Sequence, residues 1–295
     1  MAVFFSIIVP CYNRAEILGA TVKLILQQHE EDFELLLVDD GSCDNTLQVA
    51  HILAQTDCRI RVLSQHNCER GAARNYGLRQ ANGQYINYFD CDDDMYPSHL
   101  QIVRHYIERH GEVEVIHTGY ETMDKDGHTK IQVNNFISST NDVLIDNNIL
   151  VCNTVFLRRD VALENLFVED RRLASAEDWE LWLRLASQYK FHSIEECTFY
   201  LREHPGRSLN TITAEAVRVR DEMFAELMLA NNFFRKRYRQ RASYFAANRY
   251  TFITLTLALT KNHRIATLKY LLKAVRTDVT VVWRRRFLAS VKHLF

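Results

Sequence analysis

An α/β fold is predicted from this sequence, with a mostly parallel mixed sheet flanked by helices and a helical C-terminal tail. Three observations carry it. Short, nearly all-apolar runs alternate with longer segments of helical periodicity through the first 120 residues, the pattern of strands buried on both faces. Those runs end in polar clusters, where open sheets of this kind bind ligands. From about Thr211 the helical pattern continues with few breakers to Phe295.

The elements follow in order. Val3 to Val9 is a buried strand closed by Pro10, and Cys11-Tyr12-Asn13-Arg14 turns into a helix over about Ala15 to His29. Glu34 to Val38 is the second strand, ending at Asp39-Asp40-Gly41-Ser42, and Asp44-Asn45-Thr46 caps a helix to about Gln55. Ile60 to Leu63 is the third strand, leading to a helix from about Ala72 to Ala81 stopped by Gly83. The fourth strand, Tyr85 onward, runs into Asp90-Cys91-Asp92-Asp93-Asp94. Pro97 then opens a helix to about His110, and Val113 to His117 is a strand. A hairpin turn at Asp124-Lys125-Asp126-Gly127 is expected between Thr118–Tyr120 and Lys130–Val133. Val151 to Leu157 is a strand followed by a short helix from Arg159. Ser175 is the expected cap of a helix through Glu177-Asp178-Trp179, and strands at Lys190–Ile194 and Phe199–Arg202 end the body. Two regions result: 1–210, the sheet domain, and 211–295, a basic helical region.

Composition narrows the function. The 295 residues are 47% hydrophobic and 25% charged, ordinary for a globular chain. Residues 233–295 hold 15 Lys or Arg and the single acid Asp278, leaving 21 basic and 36 acidic residues in 1–232, so the two parts carry about +14 and −15. Such a split pairs an acidic, enzyme-like body with a tail suited to an anionic partner. Seven cysteines without a C-x-x-C pair read as free thiols of a reducing cytosol. No signal-peptide pattern or membrane span is expected, so the chain reads as cytoplasmic and peripheral to the cytoplasmic membrane face.

Four carboxylates within five residues repel one another unless a cation neutralises them, and oxygen ligands of this kind suit Mg²⁺ or Mn²⁺. An acidic solvated turn is the alternative for an isolated D-x-D. Asp39-Asp40-Gly41-Ser42 could equally be a plain strand-to-helix turn, since Asp, Gly and Ser favour turns. Arg74 could be a solvated helix arginine. Glu177 and Asp178 could simply complement the macrodipole of their helix, while Trp179 and Trp182 suit core packing.

Taken in order, Ser6-Ile-Ile-Val-Pro10-Cys-Tyr-Asn13, Val38-Asp-Asp-Gly-Ser42 with Asp44-Asn-Thr46, Ala73-Arg74-Asn75, Asp90-Cys-Asp92-Asp93 and Glu177-Asp178-Trp179 resemble family 2 glycosyltransferases of the Rossmann-like GT-A fold. The resemblance covers roughly residues 4–208. Glu69 stands where such proteins often carry a glycine. The resemblance implies an inverting, metal-dependent transferase moving one sugar from a nucleotide sugar, a UDP-sugar by expectation, to a hydroxyl of a glycan or lipid-linked acceptor in surface polysaccharide biosynthesis. It implies that Pro10, Tyr12, Asn13 and Asp39 hold the nucleotide base, that Arg74 faces the diphosphate or sugar, and that Asp90 lies near the ribose or sugar. Asp92 becomes the metal ligand, with His204, in a loop over the diphosphate, able to reach the metal, and Asp178 the catalytic base. The Gln-x-x-Arg-Trp signature of processive synthases is absent, which favours single-sugar transfer.

Two stretches of the tail, Phe233 to Arg241 and Val281 to Leu288, mix aromatic and basic residues as amphipathic helices on an anionic membrane surface do. Packing of the basic face on the acidic body is the alternative. No nucleic-acid reader motif accompanies the charge. Competing functions are an inactive nucleotide-sugar binder or membrane scaffold, and a haloacid-dehalogenase-like phosphatase, whose D-x-D lies on the first strand with Thr or Val where this chain has Asp94.

Overall fold

The computed structural model describes residues 3–123, 129–133, 139–202, 213–260 and 264–294. In chain order its elements are β1 (Phe5–Cys11), α1 (Ala15–Leu26), β2 (Phe33–Asp39), α2 (Thr46–Ala54), β3 (Ile60–Ser64), α3 (Glu69–Gln80), β4 (Tyr85–Tyr88), β5 (Asp94–Met95) and α4 (His99–His110). Then come β6 (Val115–Met123), β7 (Thr129–Val133), α5 (Thr140–Val143), β8 (Val155–Arg158), α6 (Arg159–Glu164), α7 (Glu177–Ala186) and β9 (Phe191–Arg202). The helices α8 (Ala214–Ala230), α9 (Asn232–Tyr238), α10 (Gln240–Leu259), α11 (Arg264–Thr277) and α12 (Arg285–Leu294) complete it.

The sheet has nine strands in the order β3-β2-β1-β4-β8-β6-β9-β5, with β7 paired to β6. Its β3-β2-β1-β4 portion is parallel, and antiparallel pairs enter from β8 onward. The α/β expectation holds because β1 and β2 are apolar on both faces. Phe5, Ile7 and Val9 join Leu18, Val22 and Ile25 of α1 and Leu100, Val103 and Ile107 of α4 in one core, while Ile8 and Val38 face α3 on the other side. Helix α3 approaches so closely that a Cβ on Gly77 would come within 2.5 Å of Ile8 Cγ2. This is why α3 buries the small residues Gly71, Ala72, Ala73 and Gly77 and, of large apolar ones, Leu78 alone.

Several boundaries differ from expectation, each for a physical reason. Pro10 lies within β1 rather than ending it. Phe89 N donates to Ile8 O, so Pro10, two residues on, turns its missing N–H toward the same side, past the last β1–β4 pair at Ile8 and Tyr88. No ladder bond is lost there. Helix α3 starts at Glu69, three residues before the expected Ala72, because Glu69 adopts φ +72° and reverses the chain without a glycine. Ser175 does not cap α7. It sits at φ +68°, and Ala176 takes the cap position with no side-chain bond. The two expected strands at 190–202 are one, β9. The hairpin partners β6 and β7 pair antiparallel as expected, but the turn 124–127 lies outside the described residues.

The chain divides into two compact units, one of Met1–Thr140, Ile149–Glu169 and Tyr189–Pro205, the other of Asn141–Asn148, Asp170–Gln188 and Gly206–Phe295. The first holds the sheet. The second holds the C-terminal helices, whose core is built from Ala246, Ala247, Tyr250, Ile253, Leu257 and Tyr270, and also α7, from within the 1–210 span.

Candidate functional site

The carboxyl ends of β2, β1 and β4 lie side by side, and each ends in polar residues. Asp39 is in register with Cys11. The nearby Cys91 thiol in the acidic run after β4, then burial, then the Asp39 carboxylate push the Cys11 thiol well above its ordinary range. Residues from all three strand ends therefore share one location.

The two neighbouring aspartates after β2 divide their tasks. Asp40 is structural: its Oδ1 accepts from Gln65 Nε2 (2.7 Å) and Cys68 N (2.9 Å), and its carbonyl accepts from Asn67 Nδ2 (3.1 Å). Gly41, at φ +73°, makes this possible, because a Cβ there would stand 2.7 Å from Asn67 N. Asp39 is buried, with Oδ2 accepting from Ser42 N at 3.3 Å. Its Oδ1 is buried with no hydrogen-bond partner among the described residues. A buried carboxylate oxygen left so is costly, and a base-edge N–H would satisfy it.

Asn13, at φ +52°, ties the first two loops together: its N–H donates to Ser42 Oγ (3.0 Å) and its Oδ1 accepts from Cys43 N (2.8 Å). Thr46 Oγ1 accepts from Arg14 N and Asp44 Oδ2 from Ala15 N, which fixes the start of α1 against the same turn. Tyr12 projects from this framework, 45% exposed, next to partly buried Pro10.

The acidic run leaves β4 through the Phe89 N bond to Ile8 O, and Thr21 Oγ1 anchors it by donating to Cys91 O at 2.6 Å. Its four carboxylates separate into two pairs. Asp93 and Asp94 are buried, Asp93 Oδ2 accepting from Asn153 Nδ2 at 3.4 Å and Asp94 lying in β5 opposite Tyr200. Asp90 and Asp92 keep side-chain exposures of 31% and 24%, and each meets an arginine, Arg74 Nη2 at 2.7 Å from Asp90 Oδ1 and Arg14 Nη2 at 3.8 Å from Asp92 Oδ2. Arg74 is not a solvated helix arginine: it is 1% exposed, in mid-helix, over the Phe167 ring. Its neighbour Asn75 holds the segment carrying that ring, donating to Phe167 O and accepting from Phe167 N, both at 2.9 Å.

Two groups escaped the sequence reading. Arg14 had only its position after the Cys-Tyr-Asn turn to mark it. Asn87, a lone amide in an apolar strand, donates to Asn153 O and Val155 O while its own Oδ1 is buried without a hydrogen-bond partner among the described residues, as is Asn153 Oδ1.

Asp178 belongs to the other unit. It is the second residue of α7, its Oδ1 accepting from Trp179 N (2.7 Å) and its Oδ2 from Asn148 Nδ2 (3.2 Å). Trp179 and Trp182 do pack as core residues: Trp179 Nε1 donates to Leu144 O and its ring meets Phe224 and Phe245 edge-on, and Trp182 is fully buried. His204 lies outside the described residues.

The donor set is oxygen-only, as a hard cation prefers. Among the described residues no group of three or more His, Cys, Asp and Glu side chains is gathered for one ion. Asp90 and Asp92, each partly exposed, are the carboxylates here that could contribute oxygen ligands to such a cation.

The polar residues at the carboxyl ends of β2, β1 and β4 lie where open α/β sheets bind ligands. The family model "Glycosyl transferase family 2" matches residues 6–167, more than half of the chain, and the chain belongs to that family. An uncharacterised glycosyltransferase of Rickettsia felis is 32% identical over 193 residues, 65% of this chain and 31% of that protein, so the chain spans about a third of that relative's length. The putative teichuronic acid biosynthesis glycosyltransferase TuaG of Bacillus subtilis is 28% identical over 198 residues, covering 65% of this chain and 76% of that one. S. aureus TarS 1–349 in complex with UDP-GlcNAc shares the fold at a TM-score of 0.74 and 20% identity, over 98% of this chain and 88% of that one. The mannosyltransferase PcManGT of Pyrobaculum calidifontis, in complex with GDP-Man and Mn²⁺, does so at 0.60 and 12%, over 98% and 84%. The GT-A expectation is thereby met.

Proposed function

We propose that this chain is an inverting, metal-dependent glycosyltransferase that moves one sugar from a UDP-sugar to a hydroxyl of a glycan or lipid-linked acceptor during surface polysaccharide synthesis. The observation that carries the reading is the buried, unpartnered Asp39 Oδ1 at the strand end next to β1, an acceptor in want of a base-edge donor. The UDP-GlcNAc bound to TarS and the teichuronic acid biosynthesis for which TuaG is named support the donor and the pathway class.

In this reading Tyr12 and Pro10 face the base, Asp39 accepts its N–H, and Asn13 holds the loop that presents them. Asp92, with Asp90 beside it, holds Mg²⁺ or Mn²⁺, which when bound offsets the negative charge that builds on the departing nucleoside diphosphate. Arg74 fixes the Asp90 carboxylate, and Arg14, 38% exposed at its side chain, faces Asp92. Asp178 takes the acceptor hydroxyl's proton as that oxygen bonds to the anomeric carbon and the bond to the leaving phosphate breaks. Its two hydrogen bonds aim the carboxylate. Attack from the face opposite the leaving group inverts the anomeric centre. The chain acts at the cytoplasmic face of a membrane through its basic helical region. Among the described residues no helix is long and apolar enough to cross one.

The test is nucleoside diphosphate release from a panel of nucleotide sugars, with and without Mn²⁺. Slow hydrolysis of one donor that needs the metal, lost in Asp92→Ala, with intact donor binding but weaker turnover in Asp178→Asn, is expected. Metal-independent binding of a donor with no turnover would favour the inactive-binder reading instead.

A further inference from the structure

Helix α11 has two apolar faces, and only one of them is used. Thr267, Tyr270 and Ala274 are buried, Tyr270 and Ala274 in the core of the helical unit. On the opposite side Ile265, Leu268 and Leu272, spaced i, i+3, i+7 and so aligned along one face, are exposed at 89%, 46% and 47%. Val279, Trp283 and Leu288, on the 3-10 turn and helix in contact with α11, are exposed as well, Trp283 at 84%. Surface leucines occur singly everywhere, but an aligned stripe with an outward tryptophan marks an interaction surface.

Charge identifies the occupant. Arg264, Lys269 and Arg276 of α11 and Arg285 and Lys292 of α12 are exposed, and none of the five makes an ion pair among the described residues. Asp278, the only acid from Arg264 to the C-terminus, is engaged in capping Thr280 N. The other basic run behaves differently. Arg237 and Arg241 pair with Asp142 and Asp146 at 2.9 Å, and Phe234 and Tyr238 are buried. Two copies meeting through the α11 stripe would bring unpaired cations together, which opposes self-association. We infer that the outward face of α11, with Trp283, seats the chain in the headgroup layer of an anionic membrane, apolar side chains entering the acyl boundary and the basic rim contacting lipid phosphates. This deepens the membrane part of the proposed function and moves it away from the Phe233–Arg241 segment.

The experiment is co-sedimentation of the full chain with phosphatidylcholine vesicles with and without phosphatidylglycerol, for the wild type, the triple variant Ile265→Ser/Leu268→Ser/Leu272→Ser, and Lys269→Glu/Arg276→Glu. Circular dichroism checks that each is folded, as substitutions on the exposed face of a helix should be. The wild type should bind only the anionic vesicles and release at high salt, and each variant should bind about tenfold more weakly or worse. Equal binding by the triple variant overturns the inference, as does a wild type that ignores anionic vesicles. So does a stripe whose loss abolishes a dimer in sedimentation velocity while leaving vesicle binding intact. Donor hydrolysis, measured without lipid on the same samples, reports on the strand-end site alone, so failure of one claim is distinguishable from failure of the other.

Discussion

Each unit buries one arginine against an aspartate, and the two pairs are built for different ends. Arg249 of the helical unit reaches Asp221 Oδ1 at 3.3 Å; Asp221 is 1% exposed and is also held by Arg220 at 2.7 Å. The Arg249 guanidinium lies 4.7 Å over the Trp179 ring, and burial pulls its pKa down to about 10, still charged at neutral pH. Both charges are sealed away from solvent. Arg74 of the sheet unit is equally buried, but its partner Asp90 opens to water. A closed pair organises a core, whereas a pair with one open carboxylate is positioned to meet something that arrives.

The largest effect expected from this contrast is on the closed pair. Asp221→Asn leaves Arg249 without its countercharge in the core, and should cost about 3–5 kcal/mol in urea unfolding. Donor affinity of the folded fraction should be unchanged.

Acid should strike the other unit. His99 and His117, both in the sheet unit, are held neutral by burial, with pKa values lowered to about 3 and about 4. In the unfolded chain they protonate near 6.5, so the unfolded state binds more protons below that pH and stability falls as pH drops from about 6.5 toward those values. At pH 5 each costs about 2 kcal/mol relative to neutral pH. All three tryptophans, Trp179, Trp182 and Trp283, lie in the helical unit. Far-UV circular dichroism should therefore lose stability on acidification before tryptophan fluorescence does, and coincident curves would break the contrast.

The neighbouring aspartates refine it further. Asp40→Ala removes two bonds to the 65–68 loop and should cost about 1–3 kcal/mol. Asp39→Asn should leave stability nearly unchanged and weaken UDP binding in calorimetry. Arg74→Met should also cost little stability, about 1 kcal/mol or less because Asp90 can rehydrate, with donor turnover nonetheless strongly reduced.

How much of this was legible in the sequence follows from what each signal measures. Buried parallel strands are read from continuous apolar runs, so β1 to β4 and the clustering of their polar ends were visible. Helix α3 began earlier than expected because Glu69 takes a left-handed conformation that no residue preference announces. The Arg74–Asp90 pair joins residues 16 apart whose helix and strand must first pack, so the sequence left open whether Arg74 faced a ligand or solvent. Asp39 and Asp40 are chemically identical in sequence, and only the return of the 65–68 loop assigns one to structure. The stripe on α11 was hidden because a helix with two apolar faces has no clear period. Phe233–Arg241 and Val281–Leu288 read as membrane elements from their mixed aromatic and basic residues, and the pairing of Arg237 and Arg241 with Asp142 and Asp146, nearly a hundred residues away, has no signal in the local sequence.

The most direct test of the central claim, that the strand-end carboxylates and a bound nucleotide together hold a cation, is titration of Mn²⁺ by electron paramagnetic resonance with and without UDP. One Mn²⁺ should bind per chain, far more tightly when UDP is present, and the nucleotide-dependent site should vanish in Asp92→Ala while Asp221→Asn, if folded, retains it. Nucleotide-dependent Mn²⁺ binding that survives in Asp92→Ala, or UDP binding with no effect on Mn²⁺ in the wild type, would contradict the account.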